Sequence, residues 1–298
     1  MAGKLKGIIP ALATPLHEDG RPDEAGLRKL VQYQLEGGVN GFFVGGSTGE
    51  GPILRDEDWR QLHEWVIDEV DHRVPILAHV ADVGTARALD RAKIAADLGA
   101  EAAVATLPYY YVHAGQEAMR FFTGLADGCP VPLYIYNVPQ RTQVPLSADM
   151  LQELSQHPNI HGVKDSAVDP ILHFDLIHRM KDTDFTVLNG SEFFLGASVL
   201  MGGDGGLLGI CNLCPKLCVE LYEAAARGDV PAVRKLQPVV SDLTTVFFTK
   251  PGSALSGLKR AMSLLGLCQP YTSHPFTPTT PEQDATITAI LKRNGLLY

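Results

Sequence analysis

The chain has 298 residues, 45% hydrophobic and 20% charged, which is enough apolar material for one large α/β domain with an appendage. Its formal net charge of -9 is dispersed rather than blocked, which argues against nucleic acid and anionic membrane as partners and leaves small molecules bound locally. No apolar run reaches the ~18 residues of a membrane span, and Met1-Ala2-Gly3-Lys4-Leu5-Lys6 leads into a strand-like segment rather than a signal sequence, so a cytoplasmic protein is expected.

Gly7 to Pro15 reads as a short strand closed by proline, and Asp23 to Gly37 follows with helical spacing at Leu27, Leu30, Val31 and Leu35. Gly41 to Gly45 is the next strand; a glycine-rich loop runs to Pro52, and a helix spans about Asp56 to Val70. Pro75 to Val80 precedes a helix over Thr85 to Leu98, and Ala102 to Thr106 precedes one over Gln116 to Ala126. Pro132 to Asn137 leads to a helix near Ala148 to Ser155. The run Ile160-His161-Gly162-Val163-Lys164 leads to a helix near Pro170 to Met180. Phe185 to Asn189 and Gly205 to Ile210 complete eight strands. Continuous rather than alternating apolarity marks strands buried on both faces, as in a parallel sheet. Eight βα units with right-handed crossovers close into a (β/α)8 TIM barrel, with an open doubly wound sheet as the alternative. Helices without strands then follow, over about Asp229 to Val246, Gly252 to Leu265 and Pro281 to Arg293. The expected organisation is a barrel domain over 1–225 and a C-terminal helical domain over 226–298.

In such a barrel the active site lies where strands end, which concentrates attention on a few residues. Lys164 ends an apolar strand, where desolvation favours the neutral, nucleophilic amine that a Schiff-base lysine needs. Gly45-Gly46-Ser47-Thr48-Gly49 can converge backbone N–H groups and two hydroxyls on one carboxylate. The same residues match the Gly-x-Ser-x-Gly nucleophile elbow, but an elbow turns directly into a helix and here Pro52 and Leu54 intervene before Asp56. Tyr136 ends its strand one unit before Lys164, so its phenol would share the mouth and could shuttle protons. Arg141 could clamp a second carboxylate. His79 reads as a core histidine with its nitrogens satisfied. Five cysteines fit reduced thiols, and Cys211-x-x-Cys214-x-x-x-Cys218, with no fourth ligand nearby, reads as packing rather than a metal site. Neither a Walker loop nor a placed dinucleotide fingerprint is present.

Five motifs, in order, resemble one family. They are Gly46-Ser47-Thr48-Gly49-Glu50, Leu107-Pro108-Tyr109-Tyr110, Tyr136-Asn137-Val138-Pro139, Gly162-Val163-Lys164-Asp165-Ser166 and the glycine run after Met201. The family is the pyruvate-dependent class I aldolases grouped with dihydrodipicolinate synthase and N-acetylneuraminate lyase. The resemblance covers essentially the whole chain. It implies an imine between Lys164 and the keto carbon of pyruvate, with no cofactor and no metal. Ser47, Thr48 and Gly46 would hold the substrate carboxylate. Tyr136 would move protons with the Ser47 hydroxyl and with Tyr110, which in this family comes from the neighbouring subunit of a homotetramer built as a dimer of dimers. Arg141, Ser166, Glu192 and Leu207 would contact the rest of the substrate, with Phe193 also placed to discriminate.

The resemblance is not uniform. Ser191-Glu192-Phe193 and Gly209 replace the polar contacts of neuraminate lyases, which counts against sialic acid. Asp56, Trp59, Val83 and Arg87 replace residues of the lysine feedback site, which is expected to be absent. Ser166 and Glu192 suit the hydroxyls of a 2-keto-3-deoxy sugar acid or 4-hydroxy-2-oxoglutarate, and the reading leans to cleavage of such a hydroxylated 2-keto acid into pyruvate and an aldehyde. The alternative, favoured by Arg141, is 4-hydroxy-tetrahydrodipicolinate synthesis from pyruvate and aspartate semialdehyde. An imine-dependent dehydratase or a non-catalytic keto-acid-binding relative would be further alternatives.

Overall fold

A computed structural model describes residues 4–249 and 254–297. Its strands are β1 (Gly7–Pro10), β2 (Phe42–Val44), β3 (Ile76–His79), β4 (Ala102–Ala105), β5 (Leu133–Asn137), β6 (Ile160–Asp165), β7 (Thr186–Asn189) and β8 (Gly205–Leu208). They pair in parallel in the order β1-β8-β7-β6-β5-β4-β3-β2. The seam between β1 and β2 is drawn together by a parallel bridge from Ala11 to Phe43 and by the Leu12 N–H, which donates to the Phe43 carbonyl at 2.9 Å. The architecture is the expected (β/α)8 barrel with C-terminal helices.

The apolar runs form strands because both of their faces find apolar partners. Every strand residue is buried except His161, which is half-buried. One set of alternating residues, including Ile9, Phe43, Leu77, Val104, Tyr134, Tyr136, Leu188 and Leu207, fills the inside of the barrel. The other set packs outward on the helices, whose cluster continues without a break through Val233, Val240, Leu243, Leu258, Met262, Ile287 and Leu291 of the C-terminal segment. Each such side chain, fully buried, contributes roughly 1.5–3 kcal/mol of transfer free energy.

Helix boundaries follow local chemistry. Asp23, Ser147, Asp169 and Asp229 each accept a backbone N–H of the first turn that they precede, and Thr280 with Gln283 closes a capping box on the helix Pro281–Arg293. Helices Asp56–Val70, Thr85–Leu98 and Pro170–Met180 occupy the expected residues. Two short helices, Pro139–Thr142 after β5 and Leu195–Leu200 after β7, were not anticipated. The helix expected from Gly252 is described from Ala254 to Leu264, and its expected first residues lie outside the described residues. Helix Pro215–Ala226 follows β8, and among the described residues no helix is long and apolar enough to cross a membrane.

Candidate active site

Strand alternation sends neighbouring residues of β6 in opposite directions, and the register of β5 with β6 sets Tyr136 beside Lys164. Lys164, 5% exposed, places its Nζ 4.1 Å from the centroid of the Tyr136 ring and 5.0 Å from that of Phe43. Asp165 is the actual end of β6, one residue beyond the expected one. Its Oδ1 accepts from Asn137 Nδ2 at 2.9 Å and its Oδ2 lies 3.2 Å from His173 Nδ1, while His173 Nε2 lies 2.8 Å from Ser198 Oγ. This buried chain ties β5, β6 and helix Pro170–Met180 together, so the strand that carries Lys164 is fixed in position.

The Tyr136 phenol is also fully buried. Burial pushes its pKa up, but the Lys164 ammonium and hydrogen bonds with Ser47, Lys164 and Ser166 outweigh burial and hold it below the ordinary tyrosine value. A phenol easier to ionise, touching both an amine and a hydroxyl, is suited to relaying protons at this point.

The Ser47-Thr48 loop is shaped by close approaches that only glycine allows. A Cβ on Gly46 would lie 2.3 Å from the Phe43 ring, and one on Gly51 would lie 1.7 Å from the Gly45 carbonyl oxygen. The Glu50 N–H donates to the Ser47 carbonyl at 3.2 Å, and the Thr14 hydroxyl donates to the Gly49 carbonyl at 2.6 Å. Thr48 Oγ1 lies 3.3 Å from the point a Cβ on Gly209 would occupy, so the loop faces the end of β8. Residues Gly51–Ile53 form a short 3-10 turn before the next helix, which is not the geometry of a nucleophile elbow.

The remaining expected site residues divide. Ser166 joins the Tyr136 hydrogen-bond set and donates its hydroxyl to the Gly190 carbonyl at 3.4 Å. Leu207 is buried inside the barrel with Phe43 and Tyr136. Arg141, on the turn Pro139–Thr142 directly after β5, is exposed, and its guanidinium has no ion-pair partner among the described residues. Glu192 directs Oε1 to the backbone, accepting from the N–H of Gly209 at 2.9 Å and of Ile210 at 3.2 Å. Phe193 is 44% exposed and stacks on Phe248. Tyr110 is 74% exposed and meets Tyr111 edge-on, so this single chain does not bury it beside Tyr136. Cys211, Cys214 and Cys218 are buried free thiols in mutual contact; burial pushes Cys211 up, while a hydrogen bond to a neighbouring thiol, and then burial, pushes each of Cys214 and Cys218 up.

Three residues of this region were not singled out from the sequence. Phe43 forms a wall against Lys164, and its inward position follows from the same alternation that points Tyr136 inward. Glu50 and Thr14 support the hydroxyl loop from below. Around the expected feedback position, Arg91 lies over Trp59 and pairs with Asp56 at 2.9 Å and Asp82 at 3.3 Å, while Arg87 pairs with Asp82 at 2.9 Å. The charges there satisfy one another.

His79 is core, as expected, but not satisfied. Its ring lies edge-on to Phe43 and Tyr136, and neither nitrogen makes a well-formed hydrogen bond among the described residues. Burial, reinforced by the Lys164 charge, pulls its pKa down to about 3, and burial pulls that of His63 down to about 4. Both stay neutral in the fold while the unfolded chain protonates them near 6.5, so the unfolded state binds more protons below that pH. Stability is therefore full above pH 6.5 and falls as pH drops, by up to about 1.4 kcal/mol per unit for each histidine. Chemical denaturation at pH 7 and at about pH 5 should show this loss, and His79→Leu should reduce the slope by close to one proton.

A parallel barrel that opens a buried lysine, a phenol and a hydroxyl loop at one mouth is the layout of a Schiff-base lyase. The chain belongs to the Dihydrodipicolinate synthetase family, which it matches over residues 4–294. It is 34% identical over 294 residues to 4-hydroxy-tetrahydrodipicolinate synthase of Nitrobacter hamburgensis, covering 99% of this chain and 98% of that protein. It superposes with a TM-score of 0.93 on dihydrodipicolinate synthase of Bacteroides thetaiotaomicron at 34% identity, covering 98% and 100% of the two chains. The chloride-inhibited dihydrodipicolinate synthase of Acinetobacter baumannii, solved with pyruvate, gives 0.94 at 30% identity, covering 99% and 100%. The protein is a pyruvate-dependent, aldolase-type lyase, and enzymes of this family use a lysine imine without a cofactor.

Proposed function

We propose that the protein condenses pyruvate with an aldehyde that carries a second carboxylate, as in 4-hydroxy-tetrahydrodipicolinate synthesis from aspartate semialdehyde. The lean of the sequence toward cleavage of a hydroxylated 2-keto acid is less well supported. Relatives at 34% identity carry the synthase name, and Glu192, the residue expected to hold a sugar hydroxyl, already commits Oε1 to two backbone N–H groups. The observation that carries the proposal is Arg141, an exposed charged fork without an ion-pair partner among the described residues, directly after the strand that bears Tyr136.

In this reading Lys164 Nζ adds to the keto carbon of pyruvate, and the oxygen leaves as water, with Tyr136 and Ser47 moving the protons. Ser47, Thr48 and the backbone at Gly46 hold the pyruvate carboxylate. The protonated imine draws electrons from the adjacent methyl, which loses a proton to give an enamine. The enamine carbon attacks the aldehyde, and Tyr136, with Tyr110 of a second copy, returns a proton to the new alkoxide. The amino group of the aspartate semialdehyde then attacks the imine carbon, which closes the ring and expels Lys164 as the free amine. A coupled assay with pyruvate and aspartate semialdehyde, beside pyruvate-release assays on 2-keto-3-deoxy sugar acids and 4-hydroxy-2-oxoglutarate, tests the substrate. Turnover is expected in the coupled assay, with Arg141→Ala raising the aldehyde KM by about 10- to 100-fold for a lost charge-assisted pair. Efficient pyruvate release from the hydroxylated keto acids, with none in the coupled assay, restores the cleavage reading.

The proposal includes a homotetramer in the cytoplasm. Tyr110, Tyr111 and Val112 are 74%, 68% and 56% exposed in one run, a costly apolar surface that an isologous contact would cover. The five free cysteines support a reducing compartment. Sedimentation should give a tetramer at micromolar protein, and monomer alone would contradict the shared site. The division at residue 225 into a catalytic barrel and a helical domain is kept as part of this reading, supported by the helix after β8 ending at Ala226.

A further inference from the structure

The hydroxyl loop is followed at once by a carboxylate buried away from solvent. Glu50 is 1% exposed and holds a left-handed φ of 60°, which strains a non-glycine residue unless its surroundings fix it. Its Oε1 lies 2.9 Å from Lys259 Nζ, and its Oε2 accepts the Ser273 N–H at 2.6 Å. Lys259, fully buried on helix Ala254–Leu264, also donates to the carbonyls of Thr14 and Tyr271, the latter at 3.0 Å. Thr14 completes the circuit, because its hydroxyl donates to the carbonyl of Gly49, the residue between Thr48 and Glu50.

We propose that Glu50 and Lys259 are positioning residues for the bound keto acid: the buried pair, braced by Thr14, anchors the hydroxyl loop to the C-terminal helices and sets where Ser47 and Thr48 sit relative to Lys164. Stability alone does not account for the pair. Two charges taken out of water are expensive, and apolar residues of like volume commonly stabilise as well. What the charges add is direction. Three hydrogen bonds, to the Thr14 and Tyr271 carbonyls and from the Ser273 N–H, meet the Lys259–Glu50 ion pair, and together they determine the loop in a way an apolar plug does not. A displacement of about 1 Å in a carboxylate seat is enough to cost on the order of a hundredfold in productive binding. The C-terminal helices, remote from the imine chemistry in sequence, thereby become part of the substrate site.

This inference rests on the imine reading, and one experiment separates the two. Wild type, Glu50→Gln/Lys259→Met and Thr14→Val are treated with borohydride across a range of pyruvate concentrations. Incorporation at Lys164 is followed by mass spectrometry, and folding by circular dichroism. The double variant removes both charges together, so neither is left buried and alone. The pyruvate concentration that half-labels Lys164 should rise about tenfold or more in the double variant and severalfold in Thr14→Val, while labelling at saturating pyruvate stays near the wild-type rate. A merely structural pair would lower the melting temperature and leave that concentration unchanged in the folded protein, which overturns the inference. Should the double variant not fold, Thr14→Val decides it by the same curve. A wild type that takes no label removes the imine reading itself.

Discussion

Replacing Lys164 by methionine should leave a folded protein with turnover reduced by at least ~10⁴-fold, or about 5.4 kcal/mol of barrier at 1.36 kcal/mol per decade. The substitution keeps a flexible apolar chain of similar length against the Phe43 and Tyr136 rings, so packing is retained while the nucleophile is lost. The size of the effect follows from the role of the residue. Without the imine there is no electron sink next to the pyruvate methyl, and positioning by Ser47 and Thr48 has no reaction to accelerate. Steady-state assay of the purified variant, with circular dichroism to show the fold, checks both halves. Residual activity within a hundredfold of wild type would place the chemistry elsewhere.

Tyr136→Phe should lower kcat by roughly 10²–10⁴-fold, the usual contribution of a positioned acid–base group. Its ring still packs between Lys164, Phe43 and His79, so the loss is chemical rather than structural. In the wild type the phenol titrates below the ordinary tyrosine value because Lys164, Ser47 and Ser166 outweigh burial. The alkaline limb of the rate profile should therefore lie below pH 10 in the wild type, and Tyr136→Phe should abolish it or move it upward. An alkaline limb unchanged in Tyr136→Phe would assign that limb to another group.

The parts of the fold legible in the sequence are those set by local rules. Helix Pro170–Met180 begins where Asp169 caps it, with Pro170 at its first position, and helix Pro281–Arg293 begins with the Thr280 capping box. The strands were legible because most of their residues are apolar and all but His161 are buried. The helices Pro139–Thr142 and Leu195–Leu200 were not, since four and six residues are too few to show helical periodicity. Lys164 and Tyr136 could be named because strand ends in a barrel converge. The hydrogen bonds that Glu192 Oε1 accepts from the Gly209 and Ile210 amides could not be foreseen by the same logic, because that contact depends on how the loops after β7 and β8 fold together. The Glu50 and Lys259 pair was hidden for a like reason: a buried glutamate and a buried lysine from distant segments each read, in sequence, as surface charge.

The central claim is that Lys164 forms an imine with pyruvate, and the most direct measurement is peptide mass spectrometry after borohydride reduction in the presence of pyruvate. The account predicts one stoichiometric adduct, with the mass of pyruvic acid less one oxygen atom, on the peptide containing Lys164, and none in Lys164→Met. No adduct, or label spread over surface lysines and unchanged in Lys164→Met, would contradict it.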